Sequence, residues 1–151
     1  MQNLVRVSAG APDVSALLKR HFDLMRSQSP AESCHVLPAD ALDSPDITLF
    51  ALREQDRAVA VGALRRMGTE AEIKSMHTAY EARGRGFARV LLQGLISSAR
   101  EEGITRLNLE TGSGAEHAAA RALYQSEGFR ECPPFGDYVS DPLSVFMTRA
   151  I

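Results

Sequence analysis

Residues 81–92, EARGRGFARVLL, set two glycines among three arginines immediately before an apolar run. The first turn of an α-helix has N–H groups without intrahelical acceptors and carries partial positive charge, so that end favours a phosphate. Gly84 and Gly86 stand where the main chain would approach such a group, and Ala88 adds a second small residue. Arg83, Arg85 and Arg89 could neutralise further phosphate charge. An exposed basic turn would use the same residue types, and the stretch alone leaves both readings open. The dinucleotide pattern GxGxxG fits poorly: its sixth position is Arg89 where Gly or Ala is needed, and AYEA separates the loop from the strand before it.

The elements that must position this loop follow from periodicity. NLVRVSA reads as a short strand. PDVSALLKRHFDLMRSQ opens with Pro12 and Asp13 and spaces Val14, Leu17, Leu18, Phe22 and Met25 as an amphipathic helix. SPAESCHVLPADALDSPD is loop with one helical turn at PADAL. ITLFALRE and AVAVGALRRM form a hairpin across QDR, and EAEIKSMHT is the third strand of an antiparallel meander. The loop then opens a helix from Gly86 to about Glu102, stopped by Gly103. TRLNLETG is a strand, AEHAAARALYQSEG a helix closed by Gly128, and FRECPP and SVFMTRA supply two more strands. The order is mixed α+β, without regular βαβ alternation.

The whole chain of 151 residues, 44% hydrophobic, suits one domain over 1–151 with a core that requires no metal or disulfide. Its formal charge of −2 offers no general attraction to nucleic acid or to an anionic membrane, and neither is expected as a partner. Cys34 and Cys132 lie far apart without metal-ligand spacing and read as buried reduced thiols. The first residues, MQNLVRVSAG, lack the basic and apolar segments of a signal peptide, so the expected location is the cytoplasm.

Two stretches together resemble a known family. Arg83 to Ala88 fits the Q/R-x-x-G-x-G/A signature of the GNAT superfamily of acyl-CoA-dependent N-acetyltransferases, and ARALYQSEGF, Ala120 to Phe129, is similar to its A-x-x-L-Y-x-x-x-G-F element. The motifs stand in the family's order, and the resemblance covers nearly the whole chain. EIKSMHT, LNLETGS and PFGDYVSDPLSVFMT look more narrowly like a small bacterial subgroup, some of whose members bear the name indole-acetic acid acetyltransferase.

The resemblance implies a mainly antiparallel sheet with splayed fourth and fifth strands, flanked by helices. It implies acetyl-CoA as cofactor, held through its pyrophosphate by the amides of Gly84, Arg85, Gly86, Phe87 and Ala88 with Arg83 and Arg89 beside them. A main-chain donor around Met76, His77 and Thr78 would polarise the thioester carbonyl. Glu72 occupies the position of the general base in some members; alternation places it on Thr78's face and His77 on the other, where a packed histidine is the plainer reading. A salt bridge to Lys74 is the competing role for Glu72, and Lys74 could instead orient a substrate carboxylate. Tyr124 matches the tyrosine that protonates the leaving thiolate. His117 stands where the family often has an asparagine that contacts the coenzyme, seven residues before that tyrosine.

Glu110, at the end of the second splayed strand, is a further acid candidate. On the acceptor side the resemblance brings His35 and the tail loop with Asp137, Tyr138 and Asp141; a plain Pro-Gly-Asp turn explains that loop equally well. The implied activity is acetyl transfer from acetyl-CoA to the primary amine of a small molecule, amino acid or peptide by direct attack, and a homodimer is compatible with it. The alternative is a non-catalytic acyl-CoA-binding module of the same fold.

Overall fold

A computed structural model describes residues 2–151. The strands are β1 (Gln2–Arg6), β2 (Ile47–Glu54), β3 (Arg57–Met67), β4 (Glu70–Thr78), β5 (Arg106–Gly112), β6 (Arg130–Cys132) and β7 (Ser144–Ala150). The helices are α1 (Pro12–Gln28), α2 (Phe87–Glu101) and α3 (Ala118–Ser126), and short 3₁₀ turns occupy Ala31–Ser33, Ala39–Asp43, Tyr80–Ala82 and Ala115–His117. The strands form one mixed sheet in the order β1-β2-β3-β4-β5-β7-β6, so the last hairpin inserts β7 beside β5. Among the described residues, no helix is long and apolar enough to cross a membrane.

α1 begins where Pro12 can start a helix without losing a bond, and it buries Val14, Leu17, Leu18 and His21, a stripe at helical spacing. Phe22, expected in that stripe, is only half-buried and lies beneath the Arg26 guanidinium, 5.6 Å from its ring centre. The Asp13 carboxylate accepts from Arg53 and, at 3.0 Å, from the Ala58 N–H, tying α1 to the meander. β3 is buried continuously from Ala58 to Leu64 because both its faces are covered. α1 lies over one face and α2 over the other. A Cβ on Gly62 would come within 3.2 Å of Leu95 and Met76 side-chain atoms, so this glycine sets how closely α2 approaches.

The β3–β4 ladder contains one irregularity that decides the site. Ala63 pairs with Lys74 and Val61 with His77, leaving Ser75 and Met76 together opposite Gly62. Ser75 adopts a φ of 57°, the conformation of a β-bulge. The extra residue reverses the alternation beyond it. His77 therefore shares the α1 face with Glu72 and Lys74, and the sequence expectation that Thr78 would share Glu72's face is overturned.

β4 and β5 run parallel only from Glu70/Arg106 to Ile73/Leu109. β4 continues to Thr78 and β5 to Gly112, so the strands part into a V beyond Ile73. Main-chain groups of β4 that point toward β5 above that level have no strand partner. This is the expected splay of the fourth and fifth strands.

Candidate active site

The V opens into a cavity of about 490 Å³ walled by α1, the upper half of β4, the end of β5, the first turn of α2, and α3. Its two ends differ in construction. At the α2 end, Gly84 and Gly86 take φ values of 77° and 82°, a left-handed conformation that other residues enter at a cost. Phe87, 1% exposed, anchors the helix start in the core. The first α-helical bond runs from the Val90 N–H to the Gly86 carbonyl at 3.2 Å, so the amides of Phe87, Ala88 and Arg89 precede the ladder. No side chain caps them, and the first turn contains no acidic residue. A set of unsatisfied donors at the positive end of a 15-residue helix, reached from the cavity past Ala88 and Arg83, fits a pyrophosphate.

The arginines of this stretch are otherwise engaged. Arg85 makes a two-point pair with Glu54 at 2.9 and 2.7 Å and lies over the Phe87 ring. Arg89 binds Ser126 and Glu127 at 2.9 and 2.5 Å, fastening α2 to α3. Both were expected to add charge against phosphate; instead each is neutralised by a carboxylate and holds the framework. Arg83 donates to the Thr78 carbonyl at 3.4 Å and faces the cavity. Glu81 clamps the turn before the loop to Arg20 of α1 and Arg57 of β3.

Side chains build the other end. Glu72, 2% exposed, accepts from Lys74 Nζ at 3.1 Å and from the Tyr138 hydroxyl at 2.5 Å, both on the same oxygen. Lys74 also donates to the Tyr138 hydroxyl at 2.8 Å. Burial, with the Glu72 carboxylate beside it, holds the Tyr138 phenol well above the ordinary phenol range. The ring is wedged edge-on to His35 and Phe135 and tilted against Phe146, with centroids 5.0 to 5.4 Å away. Asp141 pins this loop by accepting from Ser33 at 2.6 Å. Asp137 is exposed and does not line the cavity, so the structure does not bring it to the site.

Glu110 stands where β5 leaves β4. Burial pushes its carboxyl up to about 7; the Ser144 hydroxyl and then Lys74 draw it down, while Glu72 and Asp141 push it further up. Across the cavity Tyr124, 8% exposed, donates its hydroxyl to the Met76 sulfur at 3.8 Å and packs against Phe129. Burial, aided by Glu110, raises this phenol to about 12. His117 lines the cavity against Gly112, where a Cβ would fall 2.0 Å from the imidazole, so only glycine leaves room for the ring.

Sequence reasoning missed His21. It lies edge-on to His77 with ring centroids 5.2 Å apart, and its Nδ1 is buried without a partner. Burial, then His77, lowers His21 to about 3; burial, then Arg83, lowers His77 to about 4, so both imidazoles are neutral at neutral pH. The signal was available, since His21 completes the spacing of Val14, Leu17 and Leu18. Cys34 and Cys132 are free thiols but half-buried rather than buried, and Cys34 lines the cavity.

A V between two parallel strands, a glycine-turned helix start on one side and a buried tyrosine on the other define an acyl-CoA N-acyltransferase fold. The sequence matches the acetyltransferase (GNAT) family over residues 14–129. It is 43% identical over 139 residues to an uncharacterized N-acetyltransferase of Bacillus subtilis (strain 168), covering 91% of this chain and 92% of that one. It is 39% identical over 124 residues to the IAA acetyltransferase of Azospirillum brasilense, covering 81% and 80% of the two chains. A Klebsiella pneumoniae structure, described provisionally as an acyl-CoA N-acyltransferase, superposes with a TM-score of 0.80 at 27% identity, covering 99% of this chain and 97% of that one. A GNAT family acetyltransferase from Elizabethkingia anophelis with acetyl-CoA bound shares the fold at a TM-score of 0.69 and 17% identity, covering 99% and 98%. The chain belongs to the GNAT family and is an acetyl-CoA-dependent acetyltransferase.

Proposed function

We propose that the chain transfers an acetyl group directly to the primary amine of a small molecule, with Glu110 as general base and Tyr124 as donor to the departing sulfur. The observation that carries this reading is the place of Glu110, which lines the cavity just where β5 leaves β4, with its carboxyl pushed up to about 7 by burial there. A base poised near neutral pH accepts a proton from an ammonium and leaves the neutral amine that attack requires. Glu72 is the less suitable base, because one of its oxygens already takes hydrogen bonds from Lys74 and Tyr138. Its role is to hold that pair in place.

Acetyl-CoA, with pyrophosphate on the amides of residues 84–88, supplies a thioester carbon to the V. Glu110 takes one proton from the incoming ammonium, the N–C bond forms and the C–S bond breaks, and the second proton shed by the new amide nitrogen passes to the departing thiolate to give free CoA thiol. Unpaired main-chain donors of β4 above Ile73 stabilise charge that develops on the carbonyl oxygen. Tyr124 meets the thiolate with its O–H. A phenol near 12 is a weaker acid than a thiol near 8.5, so this contribution is chiefly a hydrogen bond that grows with the charge on sulfur. The reaction fits the cytoplasm, whose reducing conditions suit the free thiols Cys34 and Cys132.

A thiol-release assay over a panel of amines tests the proposal. The expected result is CoA release that depends on an acceptor and rises with pH through about 7. Coenzyme binding with no acceptor-dependent release would favour a non-catalytic acyl-CoA-binding module instead.

A further inference from the structure

We infer that the acceptor is a free α-amino acid, its carboxylate received by Lys74 and its amine by Glu110. The inference rests on the acetyl-transfer reading above and narrows it to one substrate class.

Register supplies the geometry. Glu72 pairs with Asn108 in the parallel ladder, so Lys74 and Glu110, each two residues further on, occupy corresponding positions on the same face. The ladder ends at Ile73 and Leu109, so Lys74 and Glu110 are the first positions beyond it, one on each strand where the two part. They share the cavity, and the Lys74 charge acts on the Glu110 carboxyl. An α-amino acid carries its amine and carboxylate on a single carbon, which suits a base and a cation set on opposite lips of a narrow V.

Lys74 supplies the chemistry. Its side chain is 8% exposed, and two of its three N–H donors are directed at Glu72 and Tyr138. The third has no hydrogen-bond acceptor among the described residues. The charge of Lys74 is paired with Glu72, but its remaining donor, on a residue that lines the cavity, still favours an acceptor there, and a carboxylate is the strongest one. A simple amine would satisfy Glu110 and leave that donor empty, and the N-terminus of a peptide would offer it only a neutral carbonyl. The rest of the wall, Leu24, Met25 and His35, is left to meet the α-substituent.

The test needs no variant at first. Wild-type protein is assayed for CoA release with matched sets of an amino acid, its methyl ester and the amine left by removing the carboxyl group. The expected kcat/KM for the amino acid is about 10- to 100-fold above both partners, the range of one charge-assisted hydrogen bond. Lys74→Met should bring the three within a few-fold of one another by raising KM for the amino acid, and Lys74→Arg should restore part of the preference. Equal or better turnover of the ester or the amine by wild type overturns the amino-acid assignment while leaving acetyl transfer intact. An undiminished preference in folded Lys74→Met overturns it as well. Coenzyme binding without release from any of the three overturns this inference, and the same silence across the wider amine panel overturns acetyl transfer itself.

Discussion

At the α2 end of the cavity, two glycines and the start of a helix present main-chain amides, and the residues that matter lie within a few positions of one another. At the β5 end, Glu72, Lys74, Glu110 and Tyr138 come from three separate elements, with Tyr138 sixty-six positions from the carboxylate it binds. The first end acts through backbone conformation, the second through side chains whose properties exist only once they are buried together. Changes at the first should therefore abolish coenzyme binding outright, and changes at the second should alter rate and pH dependence while coenzyme affinity persists.

The strongest break is expected from Gly86→Glu. It sets a carboxylate at the positive helix end and a side chain at a φ of 82°. Wild type at acetyl-CoA 100 times its Kd should gain about 2.7 kcal/mol, a rise of several degrees in Tm. The variant should show none, and a retained shift would refute the main-chain grip.

Glu110→Gln should lower kcat by about 10²- to 10⁴-fold and flatten its rise with pH. The same variant should be more stable than wild type above neutrality. The folded chain keeps this proton up to about 7 and the unfolded chain releases it near 4.5, so the folded state binds more protons between those values. Wild-type stability then falls across that window, by up to about 3 kcal/mol, and the uncharged amide escapes the penalty. Thermal melts at pH 5 and pH 8 check the sign: the two proteins should agree at the lower pH and separate at the higher.

Tyr124→Phe should slow turnover about 10- to 100-fold, the worth of a hydrogen bond to a charged sulfur, with acetyl-CoA affinity unchanged by titration. The smallest effect belongs to Arg85→Ala. Its pair with Glu54 is exposed, so stability should fall by less than about 1 kcal/mol and coenzyme affinity by a few-fold. A complete loss of binding in that variant would show that the arginine, rather than the amides, holds the phosphate.

The difference between the two ends also explains what the sequence made legible. α1, β2, β4 and β7 begin and end where periodicity and turn residues put them, because each is a local pattern. Gly84 and Gly86 could be read as a helix-start cradle for the same reason. Arg85 and Arg89 could not be excluded from it, since their partners Glu54 and Glu127 are distant in sequence. Glu72 and Lys74 were recognisable as a pair two residues apart, but the hydroxyl that joins them arrives from the tail loop. Glu110 stood out as an acid candidate at the end of a splayed strand, but the burial that raises its proton affinity comes from elements distant in sequence. His21 lay inside a stripe of apolar positions and was passed over for the more hydrophobic Phe22.

The Ser75 bulge has a bearing on how substitutions are carried between relatives. It acts as a parity offset: upstream and downstream of it, even and odd positions of β4 exchange sides. A homologue without the extra residue would need every comparison beyond this point moved by one. Deleting Ser75 here should remove the bulge yet leave His77 toward α1 and Thr78 on the opposite face, because Lys74, Met76, His77 and Thr78 would then alternate regularly opposite Ala63, Gly62, Val61 and Ala60.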